Sequence, residues 1–154
     1  MTSCSESNRW TEEERIEFER KCNQTTDFIV SPICFEGFEY QNSIMIIVRN
    51  KERIIDTLYT KMRKNQNNFD KGTNRIWNTH YPKLTFNINN QYEFYIGEGA
   101  PYTLNNMEMI MWPQYTATSE GWGCVMGNYT IDNEKFEDRG NIYFKKRGFK
   151  YDWD

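Results

Sequence analysis

The second half of the chain consists of short segments in which apolar residues alternate with polar ones or cluster between turn residues. Such segments are typical of β-strands. They are Lys83–Ile88, Gln91–Ile96, Met107–Met111, Trp122–Ile131, Asn141–Lys145 and Phe149–Trp153. Asn89 and Asn90 separate the first two and predict a tight hairpin turn. Strands that follow one another through short turns favour an antiparallel meander.

The first quarter of the chain combines a helix with two strands. Thr11 opens the sequence Thr-Glu-Glu-Glu, a capping box in which the threonine caps the helix and Glu14 reaches back to it. This helix has few apolar residues, so we expect it to lie on the surface. Strands are predicted at Asp27–Ser31 and at Ser43–Val48, the second as a continuous apolar run.

The strongest helical pattern in the chain begins after Asn50, which is a good N-cap residue. Between residues 51 and 64 the apolar residues recur at i, i+1, i+4, i+5 and i+8, a spacing that places them on one face of a helix. They are Ile54, Ile55, Leu58, Tyr59 and Met62. The sequence therefore predicts one main amphipathic helix over residues 51–64.

Composition agrees with a fold that is rich in strands. Of the 154 residues, 38% are hydrophobic and 16% are aromatic, while alanine and leucine, which favour helix interiors, are scarce. We predict an α+β fold: a curved antiparallel sheet packed on the main amphipathic helix, with the N-terminal helix on the surface. Residues 1–9 are predicted to be a flexible N-terminus and residues 10–154 a single domain. A closed antiparallel barrel of calycin type is the competing architecture.

Charge and hydropathy exclude several classes of protein. The formal net charge is −3 and the sequence pI is about 5.3, so the chain lacks the overall basicity typical of nucleic-acid binders. Its longest wholly apolar run, Ile44–Val48, is much shorter than a membrane-spanning helix. The N-terminal residues are rich in glutamate and include no apolar stretch of a secretory signal. We therefore expect a cytoplasmic protein without membrane contact.

Cysteine usage agrees with that location. The chain contains four cysteines: Cys4, Cys22, Cys34 and Cys124. Their spacing matches neither a dense disulfide framework nor a metal-binding knuckle, so we expect reduced thiols that mostly pack as small hydrophobes. Two N-glycosylation sequons, at Asn23–Thr25 and Asn128–Thr130, are chance matches in a chain that does not enter the secretory path.

No catalytic constellation is evident in the sequence. His80 is the only histidine, and no residues lie near it at the spacing of a triad or a zinc site. Glu93 and Glu108 lie in predicted strands, and either could act in acid–base chemistry if it pointed inward. Solvent-facing glutamates fit the alternation better. We therefore predict no catalytic residue, no metal and no cofactor.

Three sets of residues are candidates for binding. An apolar wall for a small ligand, with two polar groups beside it, is predicted from Met107, Met109, Met111, Trp112, Glu93 and Tyr129. The aromatic residues predicted to contact a protein partner are Trp122, Trp10 and Phe18. The basic residues that could bind RNA by phosphate contact, with aromatic residues nearby, are Lys61, Arg63, Lys64, Lys71 and Arg75.

The C-terminal segment resembles the last strands of NTF2-like proteins of the SnoaL and ketosteroid-isomerase type. The residues that carry this resemblance are Gly127–Thr130, Arg139–Gly140 and Lys145–Lys150, together with Asp27–Val30 and Lys51–Ile55, which resemble an early strand and the following helix. Phe149 replaces the usual tryptophan, and one expected N-terminal helix is missing. The resemblance implies a cone-shaped sheet around a helix, with an apolar cavity at its open end. It does not imply catalysis, because many members only bind small molecules or dimerise.

These observations favour a non-catalytic module that binds a protein partner or assembles with copies of itself. The module would use its curved sheet and its aromatic surface, since aromatic residues are enriched in protein interfaces. The first alternative is an NTF2-like binder or enzyme for a small apolar ligand. The second alternative is RNA binding through residues 61–81, which the acidic pI makes the weaker hypothesis.

Overall fold

The protein is described here by a computed structural model that covers residues 10–30, 33–63, 76–78, 84–115, 120–137 and 141–150. Its helix is α1 (Glu12–Gln24). Its strands are β1 (Asp27–Ile29), β2 (Ile33–Glu36), β3 (Ile44–Asn50), β4 (Arg53–Thr60), β5 (Ile76–Asn78), β6 (Thr85–Asn87), β7 (Gln91–Tyr95), β8 (Tyr102–Tyr115), β9 (Glu120–Ile131), β10 (Glu134–Phe136) and β11 (Ile142–Lys145). Residues 1–9, predicted to be flexible, lie outside the described residues.

α1 begins at the cap that the sequence predicts. The Thr11 hydroxyl accepts a hydrogen bond from the backbone amide of Glu14 (3.1 Å) and donates to the Glu14 carboxylate (3.2 Å). The first turn carries three glutamates, which suit the positive end of the helix dipole. α1 packs on β8 and β9 and buries Cys22, while most of its other residues are exposed. The prediction of a surface helix is confirmed.

The largest sheet has six strands in the order β10-β9-β8-β7-β3-β4, all antiparallel, and it is open and curved. Two register shifts between β8 and β9, on either side of Glu108, place extra residues in these strands and bend them. One extra residue, Asn106, has a φ of 51°, in the left-handed region that asparagine tolerates. The predicted succession of antiparallel strands is confirmed from β7 to β9, and β10 is a further antiparallel strand that the sequence analysis did not predict.

The six-stranded sheet packs against a three-stranded sheet, β11-β2-β5, and an aromatic cluster fills the space between them. At its centre the Phe144 ring lies 4.5 Å from the Phe94 ring and 5.8 Å from the Phe35 ring. The Tyr102 ring meets Phe144 edge to face at 6.1 Å. All four side chains are buried. These contacts join both sheets into one packed core, because aromatic rings carry much of the apolar area that folding buries.

The prediction of a main amphipathic helix over residues 51–64 is wrong. Arg53–Thr60 forms β4, which returns antiparallel along β3 after a two-residue turn at Lys51 and Glu52. Both turn residues have positive φ, 49° and 68°, as in the type I′ turn that matches the twist of a hairpin. Asn50 does not cap a helix, and its side-chain amide donates to Asn90 (2.9 Å).

The spacing of apolar residues in 51–64 indicated a helix wrongly, because β4 lies at the edge of the sheet. Most of its residues are exposed, whichever face they point to. The period of two that identifies a half-buried strand is therefore absent, and a helical spacing remains by coincidence. The better signal is residue type, since Ile54, Ile55 and Thr57 are β-branched and favour strands over helices.

The hairpin predicted around Asn89 and Asn90 is only partly correct. A turn is present, closed by the Asn87 carbonyl, which accepts from the Asn90 amide (3.1 Å). Its two flanking strands do not pair with each other: β6 pairs with β1, whereas β7 pairs with β3 and β8. The prediction of an antiparallel meander is also wrong for β11, because this strand pairs with β2 in the parallel direction. Phe149 and Lys150, predicted to begin a last strand, lie outside any strand.

Cys22 of α1 and Cys124 of β9 form a disulfide, with their Cα atoms 5.5 Å apart. The prediction of reduced thiols is therefore wrong for this pair. Spacing along the chain could not reveal it, because connectivity cannot be deduced from the positions of cysteines alone. The cytoplasmic location stays a prediction, but reduced cysteines no longer support it.

The fold class is confirmed as α+β, with a large antiparallel sheet and a helix packed on it. That helix is α1 and not the predicted main helix. Among the described residues, no helix has both the length and the apolar character that crossing a lipid bilayer requires.

Candidate functional site

β4 forms one edge of the six-stranded sheet, hydrogen-bonded to β3 on one side. On its other side the described part of the chain provides no neighbouring strand. A free edge presents backbone donors and acceptors to which another strand can add. β4 has eight residues, longer than the average strand, so it offers a long template for pairing.

The side chains of this edge are unusually apolar for an exposed position. Ile54, Ile55 and Tyr59 are 54%, 53% and 58% exposed. Tyr59 lies opposite Met45 of β3, which in turn lies opposite Tyr95 of β7. Residues that lie directly opposite share one face of a sheet, and here it is the face away from the core, because alternate residues of β3 and β7 are buried. We refer to these five residues as the edge patch.

Asp56 is a charged residue in the middle of the edge. Its carboxylate accepts a hydrogen bond from the backbone amide of Thr57 (2.8 Å). Charges within an edge strand limit unspecific pairing. The edge is therefore apolar and accessible, but its charge disfavours any alignment that brings a second carboxylate opposite Asp56.

An ion pair fixes the β3–β4 hairpin to the rest of the sheet. Arg49 of β3 pairs with Glu93 of β7, and these side chains are 30% and 14% exposed. Arg49 also donates to the carbonyl of Glu52 in the hairpin turn (3.2 Å). Glu93, predicted to line a ligand pocket, instead helps to hold the edge in place.

The other residues of the predicted ligand wall lie in the core or on the surface of the sheet. Met107 and Tyr129 are buried, at 4% and 1% exposure, within the packed core. Met109 packs against this core, and Met111 and Trp112 are half-buried on β8. These positions are those of core and sheet-surface residues.

Two polar residues named in the sequence analysis also have structural partners. The Tyr129 hydroxyl accepts a hydrogen bond from the Tyr143 backbone amide (3.0 Å), which ties β9 to β11. Glu108 is exposed on β8 and accepts from the side-chain amide of Asn128 (3.2 Å). Both hydrogen bonds join neighbouring strands of the fold.

Two open clefts are present elsewhere. One of about 430 Å³ lies beside the hairpin turn and is lined mainly by polar side chains, among them Asn105 and Asn106. Another of about 380 Å³ lies at Arg147, whose guanidinium covers the Tyr102 ring at 3.8 Å and donates to Asp132 (2.6 Å). Predicted ligand residues line neither cleft. In the described ranges, no three His, Cys, Asp or Glu side chains come together to hold a metal ion.

The aromatic residues predicted to contact a partner belong to the α1 region and to β9, which is separated from β4 by three strands of the sheet. Trp10 is 36% exposed and its ring meets that of Phe18 edge to face at 4.9 Å. Both belong to the α1 region, which packs on β8 and β9, with β7 and β3 between it and β4. The Trp122 backbone lies in β9, but its side chain is outside the described part.

The structure describes two of the predicted RNA-binding residues, Lys61 and Arg63, which follow β4 and are exposed. The other three residues of that set, Lys64, Lys71 and Arg75, lie outside the described residues. His80 also lies outside them. Sequence reasoning missed the edge patch because it assigned Ile54, Ile55 and Tyr59 to the buried face of a helix.

Comparison of the chain with protein families, with curated proteins and with solved structures found no match. The resemblance to NTF2-like proteins is neither supported nor contradicted by these comparisons and stays a prediction. The helix that the resemblance implies at Lys51–Ile55 is a hairpin turn followed by β4.

Proposed function

We propose that this chain is a non-catalytic assembly module in which β4 pairs with β4 of a second copy. The proposal is supported by the exposed apolar side chains of β4 and by its outer edge, along which the described residues place no other strand. Addition of a strand to a sheet edge supplies main-chain hydrogen bonds, and side-chain contacts supply the specificity. Two-fold symmetric dimers are the commonest homo-oligomers, so the same patch serves both partners.

The sequence of β4 suits an antiparallel pair with a two-fold axis at Thr57. This alignment places Ile55, the extra residue at the register shift between β3 and β4, opposite Tyr59 of the second copy, and the contact occurs twice because of the symmetry. Aromatic pairs with β-branched residues are favourable across strands. An axis at Asp56 would place two carboxylates opposite each other, so the charge selects against that register.

The small-ligand alternative rests on the resemblance to NTF2-like proteins. It needs a cavity, and Met107 and Tyr129 of the predicted wall are buried in a core filled by aromatic rings. The RNA alternative retains two exposed cations, Lys61 and Arg63. Neither has an observation as direct as the edge of β4, so assembly is the function we favour.

The proposal is tested by the mass of the full chain in solution. Light scattering after size exclusion is expected to give twice the chain mass of 18.6 kDa. Ile55→Lys should weaken the dimer at least about tenfold, because a buried interface position then carries an unpaired charge. Ile16→Lys is the matched control: Ile16 of α1 is 54% exposed, as Ile55 is at 53%, but lies far from β4 in the sheet order.

A monomeric wild-type chain at all concentrations would overturn the proposal. So would equal dissociation by both lysine variants, since it would assign the effect to added charge and not to β4. Trp122→Ala examines the sequence-based candidate in the same assay and is expected to leave the dimer intact. Folding of each variant is checked by its circular dichroism and thermal transition.

A further inference from the structure

The sequon at Asn23–Thr25 lies on the surface, at the C-terminal end of α1. Asn23 is exposed in the last turn of the helix, next to the buried Cys22. Thr25 is the C-cap residue, and its hydroxyl donates to the Lys21 carbonyl (3.0 Å). A bulky group on the Asn23 amide would project into solvent without displacing a core residue, as N-linked glycosylation requires.

The Cys22–Cys124 disulfide is a second, independent observation about the place where the chain folds. Disulfides form and persist in oxidising compartments such as the secretory path and the cell exterior. The bond closes when two thiols lose two protons and two electrons, which a protein disulfide of the compartment accepts by exchange. N-glycosylation takes place in the same compartment. The disulfide at Cys22 therefore supports the use of the neighbouring sequon, which the sequence motif alone does not establish.

The second sequon, Asn128–Thr130, is placed less favourably. Asn128 is half-buried within β9, and its side-chain amide already donates to Glu108 (3.2 Å). Thr130 is only 6% exposed, and its hydroxyl bonds to the Asn105 side chain. A glycan here would start from the middle of a paired strand, so the two sequons differ in a way that an experiment can use.

We propose that Asn23 is an N-glycosylation site of a chain that matures in an oxidising secretory compartment. In the transfer, the Asn23 amide nitrogen attacks the anomeric carbon of a lipid-linked oligosaccharyl diphosphate. The new C–N bond forms as the C–O bond to the diphosphate breaks, the amide nitrogen loses one proton, and the lipid diphosphate leaves. A cellular transferase catalyses the reaction, and this chain is the acceptor. The glycan lies on the α1 side of the sheet, away from β4, and the inference does not depend on assembly through β4.

The test uses the full chain purified from the cells that make it. Treatment with peptide N-glycosidase F is expected to remove the glycan mass and to leave aspartate at residue 23, which peptide mass spectrometry distinguishes from an unmodified asparagine. Asn23→Gln should abolish the glycan at this position. Thr25→Ser, which preserves the sequon, and Asn128→Gln, which removes the other one, should both retain it.

A native chain with an unmodified Asn23 would overturn the inference, and so would a glycan found at Asn128 alone. Electrophoresis with and without reductant, on the same samples, reports the disulfide separately. A disulfide-bonded chain without a glycan at Asn23 therefore rejects the glycosylation site while leaving the fold unaffected.

Discussion

Replacement of Cys22 and Cys124 together by serine removes the covalent link between α1 and β9. The bond joins residues 102 positions apart. Closing a loop of this length stabilises a folded protein by about 4.7 kcal/mol in the chain-entropy treatment, and measured values for disulfides are typically about 2–4 kcal/mol. For a chain of this size, 1 kcal/mol changes Tm by about 3 °C. We therefore expect the double variant to melt about 10 °C below the oxidised wild type.

Urea unfolding of both proteins gives the difference in the free energy of unfolding, and hydrogen exchange shows where it arises. The amides of α1 should exchange faster in the double variant, because the helix then depends on its packing against β8 and β9. Cys34→Ser is the control for replacing a cysteine by serine, since Cys34 of β2 lies outside this bond.

A double variant within about 0.5 kcal/mol of the wild type would refute the reasoning, because that range is typical of neutral surface substitutions. An equal loss of stability in Cys34→Ser would assign the effect to the serine hydroxyl and not to the broken bond.

Three further changes test the core and the sheet. Gly127→Ala should destabilise the fold by about 1–3 kcal/mol in urea unfolding, since the added methyl would overlap the Ile110 side chain on the neighbouring strand; a neutral effect would contradict this packing. Tyr129→Phe should cost about 1 kcal/mol through the hydrogen bond lost from the Tyr143 amide, and an unchanged midpoint would count against that bond. Burial raises the pKa of the Tyr92 hydroxyl above its usual value of 10.0. Stability is then fully present below pH 10 and lost as pH rises through the raised pKa, so Tm should fall more steeply above pH 10 than in Tyr92→Phe; parallel curves would reject this.

Features set by local residues were predictable from the sequence. The cap at Thr11 depends on residues within one helical turn, and α1 begins there. The apolar and β-branched residues of Trp122–Ile131 indicate a strand, and β9 covers that segment. The Asn89–Asn90 turn was also found, because turn chemistry is local.

Features set by distant residues were not predictable in this way. Pairing of β11 with β2 and the bond between Cys22 and Cys124 join segments remote in sequence, and no local pattern specifies them. The edge strand β4 was mistaken for a helix because exposure on both faces removes the period by which strands are recognised. The error also hid the edge patch, since an amphipathic helix would have buried the side chains that β4 exposes.

The most direct measurement of the central claim is hydrogen exchange of the β4 amides in dilute and in concentrated solutions of the full chain. If β4 pairs with β4 of a second copy, its edge amides exchange rapidly in dilute solution and become protected as the dimer forms. The Ile55→Lys variant should remain unprotected at both concentrations. Equal exchange of β4 in both solutions, while the mass doubles, would place the interface elsewhere and contradict the account.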